Sequence, residues 1–217
     1  MGSFCVIGMG RFGKTLAVQL AQKGNTVSVV DRCEKSLSDI ADLVDTPIIG
    51  DATSEKVLDS IGIANYDCVA VCFSKDINAS ILLTLMLKEM GVKKVIVRAS
   101  NEQHKKVLEK IGADMVVFPE NDMGEKTAYI LSKKNVLEFI EFDNNHAIAE
   151  ISLPASWVGK TVIEINVRQT YGVSIIAMRS AKGEIGVTIN PNIPFKSGDT
   201  LVVLGTHESL DRVSNAK

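Results

Sequence analysis

Over the first 134 positions, apolar residues fall into two alternating textures. Short apolar runs at 4–7, 26–30, 46–49, 67–73, 94–97 and 115–118 predict strands. Between them lie segments with apolar residues on one helical face. These segments begin at Phe12, Leu16 and Leu20 and recur at 35–42, 55–61, 77–90, 102–111 and 121–133, and they predict helices. Gly62, Gly91 and Gly112 follow three of these helices and act as stops. The run at 67–73 is almost continuously apolar, as expected of a strand covered on both faces of a parallel sheet. Six strands alternating with six helices predict an α/β fold, a Rossmann-like doubly wound parallel sheet. Ligands in such folds bind outside the carboxyl ends of the strands.

Beyond Lys134 the pattern changes. Strands are predicted at 136–142 and 147–153, around a turn at Asp143-Asn144-Asn145. A loop at 154–159 and a short helix or turn at 162–167 follow. Further strands are expected at 173–178, 185–189 and 200–204, separated by turns at Lys182-Gly183-Glu184 and Asn190-Pro191-Asn192, with a closing helix at 208–213. The expectation is a nucleotide-binding domain at 1–134 and a small α+β domain at 135–217, with the helix at 121–133 carrying the chain between them.

The first strand runs into Gly8-Met9-Gly10-Arg11-Phe12-Gly13, a G-x-G-x-x-G turn opening a helix. Gly8 permits the sharp turn, Gly10 lets a pyrophosphate approach the backbone, and Gly13 lets helix and strand pack closely. The helix N-terminus then faces the phosphates. The second strand ends at Asp31, where a carboxylate accepts hydrogen bonds from a ribose 2′-OH and repels the 2′-phosphate of NADP. Other polar residues at strand ends are Asp51, Ser74, Arg98 and Glu120. Arg11 adds a cation at the mouth of the first helix, suited to a phosphate. The expected nucleotide-binding set is Gly8, Gly10, Arg11, Phe12, Gly13, Asp31, Arg32, Asp51, Ala52, Thr53, Phe73, Ser74, Arg98 and Glu120.

Composition narrows the function. Twenty-four basic residues against 26 acidic ones, a net charge of -2, give no basic surface for nucleic acid. No apolar run is long enough to span a bilayer, and the chain enters a strand at once, so a cytoplasmic location is expected. Four cysteines without a C-x-x-C pair, with only His104, His146 and His207, offer no zinc site. A dehydrogenase needs a proton donor or acceptor and a substrate clamp beside its nicotinamide. The second half has scattered arginines and no triad-like arrangement, which favours a nucleotide sensor over a catalyst. An NAD-dependent oxidoreductase and an NAD/NADH redox sensor are the alternatives.

The chain resembles the regulatory RCK (regulator of K⁺ conductance) proteins of bacterial K⁺ uptake systems. The matching residues are the glycine turn, Asp31, Gly50-Asp51-Ala52-Thr53, Arg98-Ala99, the run from His104 to Asp114, Pro119-Glu120-Asn121-Asp122-Met123-Gly124, and Asn166-Val167-Arg168 with Tyr171-Gly172. The resemblance implies a non-enzymatic subunit that forms octameric rings of dimers. These rings sit on the cytosolic face of a membrane K⁺-translocating subunit of the KtrB/TrkH type. It implies ATP or ADP in the first domain, or NAD(H) in some relatives, with ATP favouring the active state. By that match Asp31 holds a ribose, Asp51-Ala52 lie at the adenine, and Arg11 reaches the γ-phosphate. Glu120 helps to hold Mg²⁺ or Ca²⁺ near the phosphates. The second domain of relatives binds cyclic di-AMP. Arg168, with Ile163, Ile165 and Ile176, matches that region, and Ser174 stands where some relatives carry an asparagine.

Overall fold

The computed structural model describes residues 1–73, 75–143 and 145–216. The chain divides into two compact units, Met1–Pro119 and Glu120–Lys217.

The first unit contains β1 (Ser3–Ile7), α1 (Arg11–Gln22), β2 (Thr26–Asp31), α2 (Glu34–Ser38), β3 (Thr46–Ile49), α3 (Glu55–Ser60), β4 (Cys68–Val71), α4 (Ile77–Glu89), β5 (Val95–Arg98), α5 (Glu102–Lys110) and β6 (Met115–Val117). The strands pair in parallel in the order β3-β2-β1-β4-β5-β6. The predicted doubly wound sheet is therefore present, with its strand order reversing between β1 and β4. The helix expected at 35–42 is shorter: α2 ends at Ser38, and a single 3₁₀ turn at Ala41–Leu43 completes the connection.

Two apolar layers cover the sheet. Leu83, Leu87, Leu108, Leu58 and Ile63 pack with Val69, Val71, Val95 and Val97 in one cluster. Ala17, Leu37 and Ile40 pack with Val6, Val27 and Val29 in the other. The central strand β4 is buried along its whole length, as its unbroken apolar run predicts. Leu83 and Leu87 are fully buried, and truncating either to Ala is expected to cost about 2–5 kcal/mol. Side-chain caps set two of the helix starts. Asp76 accepts the Ala79 N–H at 2.9 Å at the head of α4, and Asn101 accepts the His104 N–H at 2.8 Å at the head of α5.

The second unit contains α6 (Pro119–Ser132), counted with it from Glu120, then β7 (Val136–Glu141), β8 (His146–Ser152), α7 (Val162–Ile165), α8 (Val167–Tyr171), β9 (Ser174–Arg179), β10 (Ile185–Gly186), β11 (Thr200–Thr206) and α9 (His207–Ser214). Its strands form an antiparallel sheet in the order β10-β9-β11-β8-β7. Trp157, Phe139, Ile151, Leu201 and Leu210 anchor its core.

The boundary differs from the expected 134/135. Tyr129 and Ile130 pack against the second core, and the Tyr129 ring lies 4.0 Å from that of Phe139, so this helix groups with the second sheet. The strand expected at 185–189 shrinks to Ile185–Gly186. The short helix at 162–167 becomes α7 and α8, joined at Asn166 in the left-handed conformation, φ 52°. The hairpin turn predicted at Asp143-Asn144-Asn145 includes Asn144, which lies outside the described residues.

Candidate nucleotide site

The three glycines of the first turn each meet a different steric demand. Gly8 has φ 94°, and a Cβ there would sit 2.8 Å from the Phe73 backbone nitrogen. Such a backbone is the province of glycine. A Cβ on Gly13 would lie 2.0 Å from the Gly8 carbonyl oxygen and 3.1 Å from the Cys72 Cβ, so α1 approaches the sheet more closely than any side chain allows. Gly10 is the N-cap of α1, and a Cβ there meets nothing within 4 Å. It faces open space, where a phosphate can reach the backbone. Among the described residues no side chain caps this end, so the N–H groups of the first helical turn are left for a ligand or water.

Asp31 closes β2 and faces this turn. Its Oδ2 accepts the Met9 N–H at 2.6 Å, and its Oδ1 accepts the Cys33 N–H at 2.8 Å. One carboxylate thus ties the glycine turn to the start of α2. Each oxygen keeps a lone pair, so the group can still accept ribose hydroxyls. It is not the cap of α2, whose N-cap is Cys33.

The turn after β3 supplies a second polar cluster. The Asp51 Oδ1 accepts the Thr53 Oγ1–H at 2.6 Å and the Thr53 N–H at 2.9 Å, and pairs with the Arg32 guanidinium at 2.6 Å. The hydrogen bonds from Thr53, then Arg32, hold the Asp51 carboxyl down at about 2. Arg32 also reaches the Thr53 hydroxyl at 3.3 Å.

A cleft of about 200 Å³ opens at these strand ends, on the crevice between β1 and β4. Of the expected set, Gly8, Asp31, Arg32, Asp51, Ala52, Thr53 and Phe73 line it. Gly10 and Arg11 stand at the start of α1 and Gly13 inside it, outside that lining. Phe12 packs half-buried against the α1-side core. Arg98 ends β5 half-buried. Glu120 opens the second unit and is not among the cleft residues. Ser74 lies outside the described residues. Ile7, Val30 and Gly50 at the strand ends complete the cleft wall, and Lys75, Asp76 and Ala79, which follow β4 and were not among the expected residues, also line it. The signal available was their place just past a strand end on the switch side of the sheet.

Among the described residues no group of three or more His, Cys, Asp or Glu is placed to hold a metal ion. His104 is a core residue: it is 2% exposed, its Nδ1 accepts the Ser100 N–H at 3.3 Å, and burial lowers its pKa. Burial likewise pushes the Cys5 and Cys72 thiols up to about 12, whereas Cys33 is exposed. Among the described residues no helix is long and apolar enough to cross a membrane.

In the second unit, Arg168 and Ser174 line one cavity of about 220 Å³, together with Val162, Val167, Val173 and Ile189. Ile163, Ile165 and Ile176 are not part of its lining. Ile163 and Ile176 are exposed, and Ile165 packs on the core.

Fold and cleft together define a Rossmann-type nucleotide-binding domain followed by an antiparallel α+β domain. Residues 4–119 match the TrkA-N domain and residues 147–217 the TrkA-C domain. The chain is 37% identical to the Ktr system potassium uptake protein C of Bacillus subtilis, over 96% of this chain and 94% of that one. It is 38% identical to the Ktr system potassium uptake protein A of the same organism, over 98% and 95%. The structure of the GsuK channel bound to NAD shares the fold, with a TM-score of 0.69 at 20% identity over 99% of this chain and 39% of that one. The chain belongs to the TrkA-type family of Ktr and Trk potassium uptake proteins.

Proposed function

We propose that this chain is the nucleotide-sensing regulatory subunit of a Ktr/Trk-type K⁺ uptake system. It holds ATP or ADP in the first-unit cleft and passes their difference to a membrane K⁺-translocating subunit of the KtrB/TrkH type. The observation that carries this reading is the cleft itself: a parallel sheet whose order reverses at β1/β4, an uncapped α1, and Asp31 locked beside the glycine turn. Asp31 serves any adenosine ribose with a free 2′-OH, so NAD(H) is the second reading for the same cleft.

A ligand shifts a two-state equilibrium only through different affinity for the two states. ATP and ADP differ by one phosphate, so a cation that meets only that phosphate distinguishes them, and Arg11, exposed at the head of α1, is that cation. Moving an assembly from one state to the other takes roughly 5.5 kcal/mol of differential binding, which several identical sites share. A divalent cation would be held mainly by phosphate oxygens, with Glu120 as the carboxylate ligand; Mg²⁺ and Ca²⁺ both prefer oxygen donors. The family's octameric ring of dimers supplies the repeated sites. Cyclic di-AMP is the second effector, read by Arg168 and Ser174 in the second-unit cavity, with Ile163, Ile165 and Ile176 as its further expected contacts. On this reading the subunit is a switch and not an enzyme, and it works at the cytoplasmic membrane face, held there by its transport partner.

The test is calorimetric titration of the full chain with ATP, ADP, NADH and cyclic di-AMP, with and without Mg²⁺, alongside its mass in solution. Binding of both ATP and ADP by an octamer, with a metal effect confined to ATP, is expected. NADH binding alone, by a monomer or dimer, would refute the ATP/ADP reading and favour an oxidoreductase or redox sensor.

A further inference from the structure

The charged residues lining the first-unit cleft are Asp31, Arg32, Asp51, Lys75 and Asp76. All but one are committed within the protein. Asp31 accepts two backbone N–H groups, Arg32 and Asp51 pair at 2.6 Å, and Asp76 caps α4 by accepting the Ala79 N–H. Lys75 is exposed, and its ammonium has no hydrogen-bond or ion-pair partner among the described residues. Lys75 lines the cleft together with Gly8 of the glycine turn and with Phe73, whose backbone nitrogen would be 2.8 Å from a Cβ on Gly8. The N-terminus of α4 also points to this side of the cleft, but the Asp76 carboxylate occupies it and would repel an anion there.

We infer that Lys75 is a specificity-determining residue of the cleft, one that contacts the phosphate chain of the bound nucleotide from the β4 side. The inference rests on the nucleotide-sensing reading given above. The chemistry of an ammonium and two observations support it. An ammonium on a flexible stem is a compact point charge that follows a phosphate without needing fixed geometry. Among the described residues no internal carboxylate competes for it. Gly8 and Phe73 line the same cleft as Lys75, and Gly8 begins the glycine turn, the element that binds phosphates in folds of this type. Lys75 therefore grades affinity by phosphate charge and leaves recognition of the adenosine to Asp31 and the Asp51 turn.

The test is calorimetric titration of the full chain, wild type, Lys75→Ala and Lys75→Arg, with adenosine, AMP, ADP, ATP and NAD at two ionic strengths. Lys75→Ala is expected to weaken ATP about three- to tenfold, ADP and AMP progressively less, and adenosine not at all. The loss is expected to shrink at high salt, and Lys75→Arg to retain most of the affinity. A thermal melt matching wild type shows that the exposed substitution leaves the fold intact. A Lys75→Ala profile equal to wild type along the whole series overturns the inference, as does an equal loss for adenosine and ATP. In either case wild-type binding leaves the cleft's function standing. A wild-type chain that binds none of these ligands overturns the reading of the cleft itself, and the role of Lys75 with it.

Discussion

Replacing Asp31 by Asn tests whether this carboxylate organises the cleft. Both of its oxygens accept backbone hydrogen bonds, from Met9 at 2.6 Å and from Cys33 at 2.8 Å. An amide of the same shape has one acceptor oxygen and one NH₂ donor. Whichever way it turns, one backbone N–H meets a donor instead of an acceptor. The loss of one hydrogen bond to a charged group, with an N–H left unsatisfied in a half-buried turn, is expected to cost about 1–3 kcal/mol. For a chain of this size that lowers the melting temperature by roughly 2–12 °C. The same exchange removes one acceptor for the ribose. Wild type should prefer ATP to 2′-deoxy-ATP, and Asp31→Asn should bind the two nearly alike, a double-mutant cycle in which the ligand supplies the second change. Calorimetry with both nucleotides and thermal unfolding of both proteins provide the readouts. Asp39→Asn, on the exposed Lys14 pair, serves as the control and should leave both measurements in place. The reasoning fails if Asp31→Asn melts with wild type, or if it keeps the preference for the 2′-hydroxyl.

Four further outcomes are expected. Gly13→Ala forces a Cβ to 2.0 Å from the Gly8 carbonyl and should destabilise the first unit by several kcal/mol, on the order of 3, whereas Gly10→Ala should fold normally and lose nucleotide affinity; circular dichroism melts and calorimetry separate the two. Arg11→Ala should weaken ATP far more than ADP, and equal losses would remove Arg11 from γ-phosphate recognition. The Asp51 carboxyl is held at about 2 by Thr53 and then Arg32, below its usual unfolded range near 3.8. Its contribution is therefore complete above that range and fades as pH falls through about 2; Thr53→Val should move the carboxyl titration upward by NMR, and an unmoved titration contradicts the assignment. Iodoacetamide should label Cys33, exposed and with its pKa lowered by the Ser36 hydrogen bonds, well before the buried Cys5 and Cys72; comparable labelling of all three would show that the sheet opens readily.

Much of the fold and part of the cleft follow from local rules in the amino-acid sequence alone. Short apolar runs, periodic helices and glycine stops identify the parallel sheet because each is a demand made within a few residues. The spacing from Gly8 to Gly13, and on to Asp31 at a strand end, marks the nucleotide turn for the same reason. Other features depend on what folding brings together. Lys75, Asp76 and Ala79 carry no motif, and they line the cleft because β4 sits beside β1 at the reversal of strand order. The helix at 119–132 looks continuous with the first domain along the chain, but the packing of Tyr129 on Phe139 assigns it to the second. The run expected to be a strand at 185–189 pairs with β9 only at Ile185 and Gly186, a register that the sequence does not announce. The pairing of Arg32 with Asp51 joins two strand ends nineteen positions apart. Sequence determined the elements and the chemistry of the turn. Tertiary structure decided which strand ends share a cleft and which of their charges remain uncommitted, because hydrogen bonds and ion pairs are set by distance in space and not along the chain.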